Sequence, residues 1–179
     1  MSQLPPGTLK IRPMLLGDVP AVAALDQLSF SLPWPERSFR HEVLENDRAR
    51  PWVAEWVTAD GMIHLAGMAV VWVILDEAHV ATFAVHPDFR RCGIGRQLLA
   101  AVLLQAAGEG ATLSYLEVRR SNLAAQALYT EFGYKVAGIR PRYYKDNFED
   151  ALLMTLDPID PDWLAGCIQP DTRIFGIGG

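Results

Sequence analysis

The sequence predicts an α/β fold in which one mixed sheet is flanked by helices. Its composition, 50% hydrophobic and 21% charged residues over 179 positions, is typical of a single globular domain with a real core. Apolar periodicity predicts two early helices, then a meander of strands, then strands that alternate with helices. No internal repeat interrupts this order, which favours one α/β unit over an array.

The first half of the chain is predicted to lead from a strand through two helices into a meander. Gly17 and Asp18 precede an amphipathic pattern, and Pro35 suits the first turn of a second helix. The turn signal at 59–61 and the pair Asp76 and Glu77 separate the strands of the meander. The predicted strands cover residues 9–14, 52–57, 62–75 and 78–85.

The second half is predicted to alternate between helix and strand. A helix after residue 93 carries one apolar stripe, formed by Ile94, Leu98, Leu99, Val102, Leu103 and Ala106. Ser121 is the expected N-cap and Gly133 the expected C-cap of a further helix, and strands are predicted over 113–118, 134–139 and 151–156. The pattern fades after Pro158. We therefore expect a domain over residues 1–157 and a C-terminal tail over 158–179, packed through Trp163 and Phe175.

Charge and cysteine content exclude several classes of protein. A formal net charge of −5 and the lack of a long basic block argue against direct nucleic-acid binding. Cys92 and Cys167 have no zinc-ligand spacing, nor have the histidines, so no metal is expected. The N-terminus lacks the apolar core of a signal peptide, and no run is long enough to span a membrane. Few cysteines also fit a reducing compartment, so we expect a cytoplasmic protein.

The segment RRCGIG, residues 90–95, places arginines and glycines at the start of a helix. A helix N-terminus exposes unpaired N–H groups with partial positive charge, glycines allow an anion to approach them, and arginines add charged hydrogen bonds. A phosphate cradle is therefore predicted. It is not a Walker loop, because Arg96 and Gln97 follow Gly95, and not a Rossmann fingerprint, because Leu98 replaces its third glycine. The alternative is a plain helix start with solvated arginines.

The wider context of this loop resembles the GNAT acetyltransferases. Arg90-x-x-Gly93-x-Gly95 after ATFAVHPDF is similar to their acetyl-CoA motif, R/Q-x-x-G-x-G/A, and the likeness continues through LEVRRSNLAAQALYTEFGY and RYYKDNFEDALLM, over about residues 10–157. The similar branch is that of the ribosomal-protein alanine (RimI-type) and other protein N-terminal acetyltransferases. The resemblance implies a mixed, mostly antiparallel sheet that is splayed near its middle, with acetyl-CoA in the gap.

The same resemblance implies a set of residues that contact acetyl-CoA. The loop contacts would be Arg90, Arg91, Cys92, Gly93, Ile94, Gly95 and Arg96, the strand contacts Phe83, Ala84 and Val85, and a further contact Asn122. Within this set we interpret Cys92 as a small filling side chain rather than a nucleophile.

Glu117 is the candidate general base. It interrupts an apolar strand and shares one face with Leu113 and Tyr115 at period 2. A carboxylate there is costly unless it has a partner or lies at an exposed strand end, which is the structural alternative. The family motif LEVRxSN carries its base at this position. An α-amine has a pKa of about 8, so a modest base suffices for a protein N-terminus.

Tyr129 is the candidate general acid. Asn122, Gln126 and Tyr129 fall at helical spacing on a polar stripe, so Tyr129 need not belong to the core. A half-buried tyrosine with its hydroxyl in water is the structural alternative. The resemblance to the ALY motif implies an acid near the sulfur of CoA.

The acceptor is implied by two further segments. Tyr143 and Tyr144, followed by Glu149 and Asp150, resemble the YY…EDA segment that lines the peptide in protein N-terminal acetyltransferases, and Trp34 lies in a similar acceptor loop. Trp34 is equally compatible with a core anchor. The implied acceptor is the N-terminal α-amine of a protein, with alanine of a ribosomal protein as the expected target.

Two other functions stay open at this point. One is acetylation of a small amine such as a polyamine or an antibiotic. The other is a non-catalytic acyl-CoA sensor. The chain also departs from the family pattern after Pro158 and in the loop over residues 145–148.

Overall fold

A computed structural model describes residues 4–176 as an eight-stranded mixed sheet with helices on both faces. The strands are β1 (Gly7–Pro13), β2 (Ala49–Thr58), β3 (Ile63–Ile74), β4 (Glu77–Val85), β5 (Leu113–Arg119), β6 (Lys135–Tyr144), β7 (Glu149–Leu156) and β8 (Arg173–Ile174). The helices are α1 (Val19–Ser29), α2 (Glu36–Leu44), α3 (Ile94–Gly108), α4 (Leu123–Glu131) and α5 (Pro161–Gly166). Strand order is β6-β7-β5-β4-β3-β2-β1-β8, parallel only at β4–β5 and β1–β8. The predicted mixed, mostly antiparallel sheet is confirmed.

Each face of the sheet carries its own hydrophobic cluster. Helices α1 and α2 cover one face, where Val22 and Phe39 meet Met68 and Val70. Helix α3 covers the other with α4 and α5, and its predicted apolar stripe is confirmed, since all six residues are at most 2% exposed. The site described below lies in the sheet between these layers.

Helix α4 differs from its prediction at both its start and its buried face. Asn122, not Ser121, is the N-cap, and its Oδ1 accepts a hydrogen bond of 3.1 Å from the N–H of Ala125. The Ser121 N–H instead donates to the Glu149 carboxylate. Tyr129 is buried, so the predicted polar stripe is wrong. The reason is that Asn122 lies outside the helical repeat and the Gln126 amide folds back onto backbone carbonyls, leaving Tyr129 to face the core.

Strands β4 and β5 pair over a short length and then separate. Their parallel register runs from Glu77 opposite Leu113 to Val80 opposite Leu116 and goes no further. At that point a register shift against β3 makes Ala81 an extra residue in β4, and such a bulge bends a strand and increases its twist. Beyond it, β4 stays paired with β3 and β5 with β7. We call the space between residues 81–85 and 117–119 the splay gap; its expected presence is confirmed.

The paired end of β4 and β5 is held by a buried hydrogen-bond chain. The Tyr134 hydroxyl donates to Ser114 Oγ at 2.6 Å, and that hydroxyl donates to the Ala78 carbonyl at 2.8 Å. Ser114 is 0% exposed and Tyr134 is 2% exposed. Because both hydroxyl groups are buried, each needs the other as a hydrogen-bond partner. This chain fixes where pairing is retained and hence where the splay gap begins.

Asp26 ties α1 to the separated part of β4. Its fully buried carboxylate accepts a hydrogen bond of 2.6 Å from the Trp34 N–H and a longer one of 3.5 Å from the Thr82 hydroxyl. Burial raises the pKa of Asp26, while both hydrogen bonds lower it. The α1–α2 loop is therefore held against the strand that borders the splay gap.

The C-terminal segment that was expected as a tail contains a short helix, α5, and a short strand, β8, which ends at Ile174. Trp163 of α5 packs edge-on against Phe132 with ring centroids 5.0 Å apart, and Gln97 Oε1 accepts a hydrogen bond of 3.1 Å from the Gln169 N–H. Strand β8 adds to β1 with Ile174 opposite Ile11. Residues 177–179 of the expected tail lie outside the described residues. Within residues 4–176, the helices all fall short of the length and apolar character that a bilayer crossing demands.

Replacing Ser114 with alanine tests the hydrogen-bond chain. The change leaves the Tyr134 hydroxyl buried without its partner, which should lower the free energy of unfolding by about 1–3 kcal/mol. Urea denaturation of both proteins measures the difference. Thr130→Ala, at an exposed position of α4, is the control and should change stability by less than about 0.5 kcal/mol. Equal losses in the two variants would contradict the role given to Ser114.

Replacing Asp26 with asparagine tests the buried carboxylate. Folding raises its pKa above 3.8, so the stability it lends is complete below that pH and is lost as pH rises through the raised value. The free energy of unfolding of the wild type, relative to Asp26→Asn, should therefore fall as the pH rises above about 4. Asp47→Asn, whose side chain is 90% exposed in the wild type, should show no such trend. Parallel curves of unfolding free energy against pH for the wild type and Asp26→Asn would refute the raised pKa of Asp26.

Candidate active site

The loop before α3 combines a left-handed glycine with the unpaired N–H groups of a helix start. Gly93 caps the helix in the left-handed region, with φ of 78°, where an L side chain is disfavoured. The N–H groups of Ile94, Gly95 and Arg96 open the helix and have no carbonyl four residues earlier inside it. A Cβ on Gly95 would lie 3.2 Å from Val85 Cγ2, so glycine lets α3 approach β4 closely. The predicted cradle geometry is thus present.

The arginines of this loop have different surroundings. Arg90 Nε donates to the Val85 carbonyl at 3.0 Å and fastens the loop to β4. Arg96 turns towards α4, where its Nε lies 2.7 Å from Glu131, so only its backbone N–H points to the loop. Arg91 is exposed, with φ of 64°. Cys92 is partly exposed and its thiol contacts the Arg90 carbonyl at 3.4 Å, which fits a filling role.

Glu117 lies on β5 immediately after the last residue that pairs with β4. Its side chain is 30% exposed, and its Oε1 lies 2.7 Å from Nη1 of Arg140. The Tyr143 hydroxyl also faces this carboxylate. A hydrogen bond to Glu117, with burial, raises the pKa of Tyr143. The carboxylate therefore opens on the splay gap and already accommodates a cationic group.

Tyr129 reaches the same region from α4. Its ring lies 6.5 Å from that of Phe83 on β4 and 5.7 Å from that of Tyr134. Burial, with a smaller contribution from Tyr144, raises the pKa of Tyr129 well above its ordinary value. The hydroxyl is therefore protonated at every ordinary pH, as a proton donor must be.

Tyr144 connects the two candidate groups. Burial raises its pKa to about 12, Arg119 lowers it, and Glu117 raises it again, while Tyr144 in turn acts on Tyr129. The Tyr143 and Tyr144 rings pack edge to face, 5.2 Å apart. Tyr143 and Tyr144 thus lie beside Glu117, and Tyr144 also lies near enough to Tyr129 to affect its pKa.

Trp34 and Asn122 both make structural contacts. The sequence left a core position for Trp34 open and did not predict the capping role of Asn122. The Trp34 ring lies 5.4 Å from Phe39 and stacks on Trp72 at 6.4 Å, so it anchors the α1–α2 loop in the core. Asn122 caps α4. Both still border the site through the loops to which they belong.

Sequence reasoning missed Arg119 and Arg140, which surround the tyrosines. Arg140 lies 5.5 Å from the centroid of the Tyr143 ring, and Arg119 lies 3.8 Å from that of Tyr144. Extending the period-2 pattern of β5 by one step would have placed Arg119 on the face of Glu117. No comparable signal marks Arg140, because its position depends on an irregular register between β6 and β7.

The arrangement suits transfer of a group from an anionic donor to an amine. The loop offers N–H groups to an anion at one end, and at the other the splay gap presents a carboxylate and a protonated phenol. In the part of the chain that the structure describes, no three histidine, cysteine, aspartate or glutamate side chains are grouped to hold a metal ion.

Known proteins resemble this chain in both sequence and fold. A model of the acetyltransferase (GNAT) family matches residues 19–134. The putative [ribosomal protein bS18]-alanine N-acetyltransferase of Bacillus subtilis is 40% identical over 144 residues, covering 80% of this chain and 92% of that protein. The crystal structure of the ribosomal-protein-S18-alanine N-acetyltransferase of Escherichia coli has a TM-score of 0.74 and 35% identity, covering 86% and 95%. Arabidopsis thaliana NAA60, solved with acetyl-CoA, matches in fold at a TM-score of 0.74 and 17% identity, covering 84% and 98%.

These matches confirm the resemblance read from the motifs around residues 90–95 and 117–129. The family match covers β4, the loop with its glycines and α3, and the Bacillus subtilis relative covers 80% of the chain. The chain belongs to the GNAT family of acetyltransferases.

Proposed function

We propose that this enzyme acetylates the N-terminal α-amine of a protein in the cytoplasm, and that alanine at the start of ribosomal protein bS18 is its acceptor. The names of relatives at 36–40% identity support this acceptor. The observation that carries the proposal is Glu117, which opens on the splay gap beside two tyrosines and holds a guanidinium where an ammonium group would bind.

Acetyl-CoA fits the loop and the splay gap. The N–H groups at the start of α3 and the exposed Arg91 suit the pyrophosphate, and Arg90 keeps the loop against β4. Phe83, Ala84 and Val85 lie on the part of β4 that no longer pairs with β5. Those of their backbone groups that β3 does not use would bind the pantetheine arm, beside the Val85 carbonyl that already accepts from Arg90. When bound, acetyl-CoA supplies the thioester whose acetyl group is transferred.

Glu117 would act as the general base. An α-ammonium has a pKa of about 8, so a carboxylate that acts directly or through water needs only to assist the loss of its proton. The Arg140 guanidinium on Glu117 would be displaced by the acceptor, which presents the same charge to the same oxygen. Tyr143, whose hydroxyl faces Glu117, would line the acceptor's first residue.

Tyr129 would act as the general acid. Burial beside Phe83 keeps its hydroxyl protonated, and Phe83 belongs to the strand proposed to bind the pantetheine arm. A neutral phenol in that place can protonate a leaving thiolate without a prior change of charge. No covalent enzyme intermediate is needed, because the amine attacks the thioester directly.

The roles of these two residues are testable by substitution. Glu117→Gln and Tyr129→Phe should each lower kcat by about 10²–10⁴-fold, since each removes a proton-transfer group. Affinity for acetyl-CoA, measured by calorimetry, should stay near that of the wild type. Tyr115→Phe, on the same face of β5 two residues before Glu117 and packed against His79, is the control and should keep full turnover. A normal kcat in both variants would contradict the proposed roles of Glu117 and Tyr129.

The acceptor is testable with a panel of amines. Peptides that begin with Ala, Ser or Met would be offered with acetyl-CoA, beside the same peptides with a blocked N-terminus and a free lysine, and beside polyamines and aminoglycosides. We expect transfer only to free N-termini, with the sequence of bS18 preferred. Transfer confined to small amines would overturn the protein acceptor. Tight acetyl-CoA binding without any transfer would favour the sensor.

A further inference from the structure

Arg119 ends β5 on the face that carries Glu117, and its side chain is only 20% exposed. Its guanidinium stacks on Tyr144, and the central carbon lies 3.8 Å from the ring centroid. Such cation–π stacking, together with burial, restricts the side chain to one orientation. Arg119 is thus fixed beside the site without being assigned any part in the chemistry above.

Two loops from opposite sides of the splay gap meet on this guanidinium. Nη2 donates to Ser31 Oγ at 3.0 Å and to both carboxylate oxygens of Asp146, at 3.0 and 2.9 Å. Nη1 contacts Asn147 Oδ1 at 3.2 Å and Glu149 Oε2 at 3.3 Å. The Ser31 hydroxyl also donates a hydrogen bond to the Asp146 carboxylate.

The loops that meet there are the ones that flank the acceptor side. Ser31 lies in the α1–α2 loop, whose far end is pinned by the Trp34 N–H on Asp26. Asp146 lies in the β6–β7 turn, directly after Tyr143 and Tyr144. Ser31 and Asp146 are 115 residues apart in the chain and otherwise belong to different elements. Arg119 connects the strand that bears Glu117 to both loops.

The geometry points to Arg119 as a positioning residue whose bridge to Ser31 and Asp146 holds the α1–α2 loop and the β6–β7 turn together as one rigid acceptor groove. This inference rests on the proposed function, because it concerns the acceptor side of the same site. Without the bridge each loop samples open arrangements, and the apparent acceptor affinity falls in proportion to the closed fraction. Within residues 4–176 the side-chain hydrogen bonds of Arg119 go to the α1–α2 loop and to residues 146–149 and not to residues 83–96, so the acetyl-CoA side should change little.

Arginine rather than lysine is required by the shape of the bridge. A planar guanidinium offers separate N–H groups to several acceptors while it stacks on an aromatic ring. An ammonium group keeps the charge but serves fewer partners and does not stack in the same way. Arg119→Lys therefore separates the bridge from the charge.

The test compares the acceptor KM with the acetyl-CoA KM in Arg119→Lys, Asp146→Asn and Ser31→Ala. If the closed fraction falls to about a tenth, Arg119→Lys raises the acceptor KM about tenfold, with kcat at saturating acceptor and the acetyl-CoA KM within about twofold of wild type. Ser31→Ala should raise it less, and Ser31→Thr, which keeps a hydroxyl, should restore it. Arg120→Lys is the control, because that exposed neighbour pairs with Asp150 instead and should leave both constants unchanged.

Hydrogen exchange supplies a readout that does not depend on turnover. Arg119→Lys should speed amide exchange in residues 30–34 and in residues 145–148 together, and not in residues 90–96. Faster exchange in only one loop, an unchanged acceptor KM, or a joint change of both KM values would each overturn the bridge. If the loops loosen together but the wild type acetylates only small amines, the bridge stands, its KM test moves to that amine, and the protein acceptor is what fails.

Discussion

The functional site depends on the short parallel contact between β4 and β5. Four residue pairs, from Glu77 and Leu113 to Val80 and Leu116, hold the two halves of the sheet together. The buried chain from Tyr134 through Ser114 to Ala78 secures that contact, and the bulge at Ala81 ends it. Each strand then follows its antiparallel neighbour. A space therefore opens in the middle of a sheet whose backbone is otherwise paired, and unsatisfied strand edges there are available to a ligand.

The two halves bring different chemistry to that space. The half with β4 supplies backbone groups and the start of α3, and so presents fixed dipoles to an anion. The half with β5, β6 and β7 supplies ionisable side chains. Arginine side chains lie against two of them, Arg140 on the Glu117 carboxylate and Arg119 on the Tyr144 ring. Tyr129 reaches in from α4, and burial, with a smaller contribution from Tyr144, raises its pKa. In the proposed function, cofactor binding and proton transfer would therefore involve different halves of the site.

The sequence predicted the layers of the fold and the cradle well, because both follow from local patterns. The stripe on α3 has a period that only one face of a helix satisfies, and the glycines at 93 and 95 meet conformational and packing demands that few residues can meet. Helix α4 was harder. A cap residue outside the helical repeat looked like part of a stripe, and Tyr129 was assigned to the wrong face. Arg119 and Arg140 were not predicted as site residues because their partners are distant in the chain. A charged residue on a strand is expected to be exposed to solvent until those partners are known.

The addition of β8 to the sheet has a consequence for how the folded chain behaves among its copies. Without it, β1 would be an outer strand with a free row of N–H and C=O groups, which is a template for pairing with another molecule. Arg173 and Ile174 lie along Lys10 and Ile11, and the N–H of Phe175 bonds to the Ile11 carbonyl at 2.9 Å. The opposite border, β6, is guarded differently, by exposed basic residues and Pro141. The C-terminal segment therefore covers β1 around Lys10 and Ile11, which should reduce pairing between copies along this edge.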